Sequence, residues 1–268
     1  MDRVDKALRC QTCGREYPVQ AGLPIFFSDF EWNEAYLTDG DHYAAKEPFQ
    51  LARGDEGYLV LRGDQNYGVI LDLGCGDGVF SSKLQPHFRS YCVDVTPVGL
   101  RRLQTRQMGN LVPLLASGVE LPFANETFDT VLYIFVVEHL VPGMDLRMLH
   151  EIRRVLKGDG KVIYTTDTPF FDRHLVRWTS LFLRSKWVKQ DHSSPIGHIN
   201  LLTMQQSRIL VRDAGFHIAA EHPYWMGARF KWWMYFVSFL RKLLPAWLCE
   251  DYLTSKYSLV LAKHVQQR

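Results

Sequence analysis

Apolar residues along this chain fall mostly into short unbroken runs, and from residue 69 onward those runs alternate with helix-spaced patterns. Val69-Ile70-Leu71, Tyr91-Cys92-Val93, Leu111-Val112-Pro113-Leu114-Leu115 and Phe128 to Phe135 are the runs. Unbroken stretches of this length read as strands covered on both faces. Pro113 weakens the pairing expected of the third strand, because proline brings no N–H to a ladder. Between the runs, Val79 to Leu84 reads as a helix, and Pro97 suits a first helical turn leading into Leu100-Arg101-Arg102-Leu103. Leu146, Leu149, Ile152, Val155 and Leu156 then recur at helical spacing, with Arg147, Glu151, Arg153 and Arg154 facing out. That helix is predicted to stop at Lys157-Gly158-Asp159-Gly160, with Gly158 as a left-handed cap. Lys161 to Thr166 follows as a fifth strand, Thr203 to Ala214 as a helix, and Tyr257 to Ala262 as a last buried strand. Strand and helix in alternation predict an α/β fold, a mostly parallel sheet with helices on both faces.

The first strand runs into Asp72-Leu73-Gly74-Cys75-Gly76-Asp77-Gly78, a loop with glycine at alternate positions where a ligand must approach the backbone closely. Asp94 closes the second strand, at the spacing that puts a carboxylate beside the hydroxyls of a ribose. Two nucleotide-binding readings compete. A dinucleotide loop wants G-x-G-x-x-G, but here the third glycine, Gly78, comes one residue early and Val79 stands in its place. The sequence D-x-G-x-G-x-G instead resembles the first motif of class I S-adenosylmethionine-dependent methyltransferases.

Further segments match the small-molecule branch of that family in order. Leu121-Pro122-Phe123 with Phe128-Asp129 resembles its L-P-F-x-x-x-x-F-D stretch, and Glu138-His139-Leu140 follows. Glu151-Ile152-Arg153-Arg154-Val155-Leu156-Lys157-Gly158-Asp159-Gly160 is similar to its E-x-x-R-V-L-K-P-G-G. Gly197-His198-Ile199-Asn200-Leu201-Leu202-Thr203 resembles its G-H-x-x-x-x-T. The resemblance covers about residues 65 to 220 and the last strand. It implies a Rossmann-like class I methyltransferase fold with a seven-stranded, mostly parallel sheet, and S-adenosyl-L-methionine as cofactor.

By that resemblance Asp72, Gly74 and Gly76 cradle the methionine and ribose side, Asp94 accepts from the ribose hydroxyls, and Cys75 and Val95 also belong to the cofactor-binding set. Ser117 and Gly118 lie at the adenine, and Tyr133 completes the cofactor contacts. Ser117 departs from the pattern, which has an acidic residue there to accept from the adenine amino group. A hydroxyl accepts the same bond without charge assistance. A hydroxyl-bearing acceptor needs a base, and His139 and His198 are the candidates. The plainer alternative is that His139 satisfies a helix start and His198 orders a loop.

Composition narrows the rest. A chain of 268 residues, 47% hydrophobic, buries a full core, and a formal charge of +2 does not call for a polyanionic partner. That charge neither suggests nor excludes nucleic acid, and with no nucleic-acid motif in the chain such a partner is not expected. Five scattered cysteines make no disulfide framework and point to a reducing cytoplasm. Residues 1–30 form an N-terminal arm resembling half a zinc ribbon. With only Cys10 and Cys13 in place it reads as a metal-free hairpin, since a structural zinc needs four ligands. Residues 31–268 make the methyltransferase domain, with helical insertions near 170–196 and 224–253.

Both insertions interleave basic and aromatic residues, as in Arg177, Trp178, Phe182, Arg184 and in Lys231, Trp232, Trp233, Phe236. They read either as lids over the substrate or as interfacial helices touching an anionic membrane, which suits a small-molecule or lipid-linked acceptor. Two other functions stay open at this point. One is a catalytically inactive partner with the same fold, and the other a nicotinamide-dependent oxidoreductase, disfavoured by Val79.

Overall fold

The computed structural model describes residues 7–11, 13–26, 66–84, 88–106, 109–169, 199–225, 239, 243, 245 and 254–263. They form two compact units. The first holds the chain to Tyr133 together with His150–Gly160; the second holds Ile134–Leu149 and everything from Lys161.

In the first unit four strands run parallel: β5 (Ile70–Leu73), β6 (Ser90–Asp94), β7 (Leu111–Ala116) and β8 (Phe128–Ile134). β5 lies between β6 and β8, so Asp72 is flanked by Cys92 on one side and Leu132 on the other. Every residue of β5 is buried, Asp72 among its three apolar neighbours included, as expected of a strand covered on both faces. Helix α1 (Val79–Leu84) follows β5, and α2 (Pro97–Thr105) follows β6 with Pro97 in its first turn.

Pro113 keeps its place in β7, opposite Cys92. β7 takes a second neighbour only at Leu115 and Ala116, so among the described residues Pro113 stands where the strand is an edge. That second neighbour comes from the N-terminal arm. The arm carries a small pair, β1 (Leu8–Arg9) and β2 (Glu16–Tyr17), then a hairpin of β3 (Val19–Gln20) and β4 (Leu23–Phe26). β4 pairs in parallel with β7, and Leu23 enters a core cluster with Cys75, Cys92, Leu100, Leu103, Leu111 and Leu115. Cys10, half-buried, and Cys13, exposed, flank a turn of this arm.

Helix α3 (Met144–Val155) ends without the predicted glycine cap, and β9 (Leu156–Asp167) starts at the next residue. Gly158 does not take a positive φ. The helix needs no left-handed residue because its last carbonyls are already used: Glu126 N–H donates to the Arg154 carbonyl (3.0 Å) and Thr127 N–H to that of Val155 (2.8 Å). The fifth strand is therefore longer than its apolar run.

The second unit is antiparallel. β11 (Thr254–Ala262) pairs with β9 and with β10 (His217–Trp225). Helix α4 (Met204–Asp213) starts on a reciprocal cap: Thr203 Oγ1 accepts from Gln206 N–H while Gln206 Oε1 accepts from Thr203 N–H. β10 runs on to Trp225, into the stretch assigned to the second insertion. The first insertion, 170–196, and nearly all of the second lie outside the described residues. Among the described residues no helix is long and apolar enough to cross a membrane. The α/β fold with a mostly parallel core sheet is the expected one, but the sheet has nine strands among the described residues instead of seven, because β4 and β3 of the arm add to it beyond β7.

One packing contact fixes the glycine loop from below. A Cβ on Gly99 of α2 would stand 2.4 Å from the Gly76 carbonyl, so the helix and loop backbones touch directly. Gly99→Ala should cost about 1–3 kcal/mol of unfolding free energy, despite alanine's better helix propensity. Urea unfolding measures this, and a variant as stable as the parent would show the contact to be slack.

Candidate functional site

The loop after β5 is shaped by its backbone. Gly74, Gly76 and Gly78 all take positive φ (71°, 54° and 73°), where a side chain would be strained. The N–H groups of Gly74 and Cys75 both donate to the Val93 carbonyl (2.8 and 3.1 Å), tying the loop to the end of β6. Gly76 N–H donates to Asp94 Oδ2 at 2.8 Å.

Asp94 thus joins two strand ends. Its other oxygen accepts from both the N–H and the hydroxyl of Thr96 (2.9 and 3.0 Å). A carboxylate offers about four lone-pair sites, and Gly76 N–H, the two Thr96 donors and the Val95 backbone all act on this one. The structure thus gives Asp94 the role of a strand-end cap, with the Thr96 hydroxyl as the bond most readily exchanged. Burial raises the Asp94 carboxyl above its ordinary range, while the bonds from Thr96 and Gly76 work against the shift.

Asp72 sits deeper, 2% exposed, and accepts from the Ser81 hydroxyl of α1 at 2.7 Å. Burial pushes its carboxyl up to about 7, Ser81 pulls it down, and repulsion from Asp94 and Asp77 adds to the rise. Asp77 is the third buried carboxylate of this loop and has its own cation. Arg106, just past α2, reaches its Oδ2 (2.8 Å) and its carbonyl (3.1 Å). Among the described residues Asp72 and Asp94 have no such ion pair.

Cys75 is buried beside Cys92, and burial raises its thiol well above the ordinary range, so it is packing material with little nucleophilic character. Val95 is half-buried beyond β6, and Tyr133 is 1% exposed in β8. Ser117 and buried Gly118 follow β7 directly. The Ser117 hydroxyl accepts from Val119 N–H at 3.4 Å, and Glu120 N–H donates to the Ser117 carbonyl at 3.3 Å. Both bonds are long.

His139 belongs to the second unit, in a 3₁₀ turn Val137–His139, and its N–H donates to the Val136 carbonyl (3.0 Å). Before it, Phe135 holds φ at 56°, unusual for an aromatic residue and a mark of a constrained strand end. Glu138, singled out only as part of a motif, is fully buried and accepts from the Thr166 hydroxyl at 3.0 Å. Its carbonyl accepts from Ile199 and Asn200 N–H (2.9 and 3.1 Å), anchoring the residues that follow His198. His198 itself lies outside the described residues. Sequence reasoning also missed Ser81, Thr96 and Arg106. Ser81 and Arg106 carried no local signal, because each acts on a residue distant in the chain.

Residues 71–164 match the family described as a methyltransferase domain. A demethylmenaquinone methyltransferase from Corynebacterium urealyticum is 35% identical over 162 residues, 60% of this chain and 59% of that protein. An uncharacterised protein from Methanocaldococcus jannaschii is 38% identical over 95 residues, 35% of this chain and 39% of its own length. The chain thus spans about half the length of these curated relatives. A solved S-adenosylmethionine-dependent methyltransferase from Archaeoglobus fulgidus superposes with a TM-score of 0.58 at 13% identity, over 82% of this chain and 98% of that one. That likeness establishes the fold, and with the domain match it supports S-adenosylmethionine as the cofactor. The residues fit that group: its cationic ammonium suits buried Asp72 and its ribose hydroxyls suit Asp94, whereas a pyrophosphate would meet repulsion at Asp72.

The raised Asp72 pKa has a consequence for stability. A folded-state value above the unfolded one favours the fold while the carboxyl is protonated. This contribution is complete below the unfolded value near 4 and is lost as pH climbs through about 7. Unfolding free energy should therefore drop across that window in the parent relative to Asp72→Asn. Denaturant titrations from pH 4 to 8 test this, and parallel pH profiles for the two proteins would contradict the assignment.

Proposed function

We propose that this chain transfers a methyl group from S-adenosylmethionine to a small-molecule or lipid-linked acceptor. The observation that carries the reading is the charge at the glycine loop. Two buried carboxyls, with no cation beside them among the described residues, flank a backbone cradle, and Asp72 suits a ligand bearing positive charge where a dinucleotide would bring a pyrophosphate. The matched methyltransferase domain supports the reaction class. The likeness to a demethylmenaquinone methyltransferase supports an apolar or lipid-associated acceptor.

The donor supplies a methyl already activated on sulfur. What remains for the protein is to align an acceptor and exclude water, and positioning of this kind is worth up to roughly 7–11 kcal/mol in well-oriented systems. Asp72, Gly74, Cys75 and Gly76 hold the amino-acid and ribose side, and Asp94 and Val95 take the ribose. Ser117 and Gly118 face the base, and Tyr133 backs the pocket. His139 and His198 are the bases that take the acceptor's proton, and the acceptor is a small molecule rather than a nucleic acid.

Calorimetric titration with S-adenosylmethionine tests the cofactor half. Affinity should rise with pH through about 7 as Asp72 ionises, and Asp94→Ala should weaken binding at least about tenfold, roughly 1.4 kcal/mol. No heat at millimolar cofactor would refute the proposal. For the acceptor, labelled methyl donor in a cell extract should deliver label to the lipid or small-molecule fraction. Label recovered mainly in RNA or protein would overturn the substrate class.

A further inference from the structure

The turn that follows β7 is weakly held by itself, yet its far end is clamped from outside. Arg154, in the last turn of α3, directs its whole guanidinium at this region. Nη2 donates to the Leu121 carbonyl (2.9 Å), and Nη1 to the Phe123 carbonyl (2.7 Å) and Asn125 Oδ1 (3.0 Å). Nε and Nη2 also form a two-point ion pair with Glu151 (2.9 and 2.8 Å). Glu151 Oε2 in turn accepts from Leu121 N–H at 2.9 Å. Both backbone groups of Leu121, four residues past Ser117, are thus taken by one ion pair.

The bond lengths decide where the shape of residues 117–121 comes from. Inside the turn the bonds are 3.3 and 3.4 Å, whereas those from Glu151 and Arg154 to Leu121 are both 2.9 Å. The clamp is also braced. Phe123 packs edge-on against Tyr91 (5.7 Å) and Phe128 (4.8 Å), and Tyr91 lies on β6 three residues before Asp94. An exposed ion pair contributes only about 0–1 kcal/mol of stability. A bidentate guanidinium contributes geometry, which is why arginine serves where planar groups must be placed.

We propose that Glu151 and Arg154 are positioning residues for recognition of the nucleobase. They hold the Ser117–Leu121 turn so that the Gly118 and Val119 backbone presents a fixed hydrogen-bonding edge. This rests on the cofactor reading above and extends it to specificity. With serine in place of a carboxylate at 117, selection of adenine depends on backbone placement instead of charge. Adenine offers an amino donor beside a ring acceptor, and hypoxanthine reverses both, so an edge held in place discriminates between them.

The test compares binding of S-adenosylhomocysteine and its inosine counterpart to the full chain by calorimetry. The parent should favour the adenine ligand at least about tenfold. Arg154→Gln and Glu151→Gln should each reduce that preference to about threefold or less, chiefly by weakening the adenine ligand. Lys157→Ala, which removes a neighbouring ion pair to Asp129, should keep the full preference. Circular dichroism checks that each variant is folded, and Glu151→Gln carries the test should Arg154→Gln fail to fold. A folded Glu151→Gln or Arg154→Gln protein with undiminished preference overturns the proposal. Equal binding of both ligands by the parent also overturns it and leaves the cofactor reading standing. Binding of neither overturns both.

Discussion

The hydrogen bond from Gly76 N–H to Asp94 is the constraint on which the first unit is organised. It joins the loop leaving β5 to the end of β6, and it forms only because a residue without a Cβ takes the left-handed conformation there. The same carboxylate then opens α2 through Thr96. α2 returns to press Gly99 against Gly76 and to bring Arg106 to Asp77. Three separate parts of the chain converge on one turn, each limiting where the others can go.

This arrangement gathers negative charge in a place that excludes water. Burying a carboxylate without a cation is costly, and a protein commonly responds by raising the group's pKa, as at Asp72. Of the loop's three carboxyls, Asp77 alone is paired with a cation among the described residues. A positively charged group placed beside these carboxyls would reduce an unfavourable field that the fold already carries. The cost to the empty fold and the gain on binding are two views of one electrostatic term.

The parallel core was readable because its strands are buried on both faces and so appear as continuous apolar runs; Val131, Leu132 and their neighbours leave little room for another reading. Asp72 and Asp94 were readable for a related reason, since a strand-end carboxylate beside a glycine loop is a local feature with fixed spacing. The end of α3 was misread. Glycine at 158 has the look of a helix cap, but the carbonyls it would have relieved are taken by Glu126 and Thr127, residues almost thirty positions earlier. Arg154 was read as a solvent-facing charge because helical periodicity reports only which face a residue is on. It does not report what lies opposite that face.

Local order in the chain thus determined the class of fold, the position of the glycine loop and the identity of the carboxylates around it. These follow from backbone preference and from apolar patterning over a few residues, which act before any tertiary contact forms. Tertiary structure alone decided which carboxylate would be paired, that Ser81 and Thr96 would bond to Asp72 and Asp94, and that Glu151 and Arg154 would grip Leu121. Hydrogen-bond partners distant in sequence are chosen by packing, and no periodicity in the chain encodes that choice.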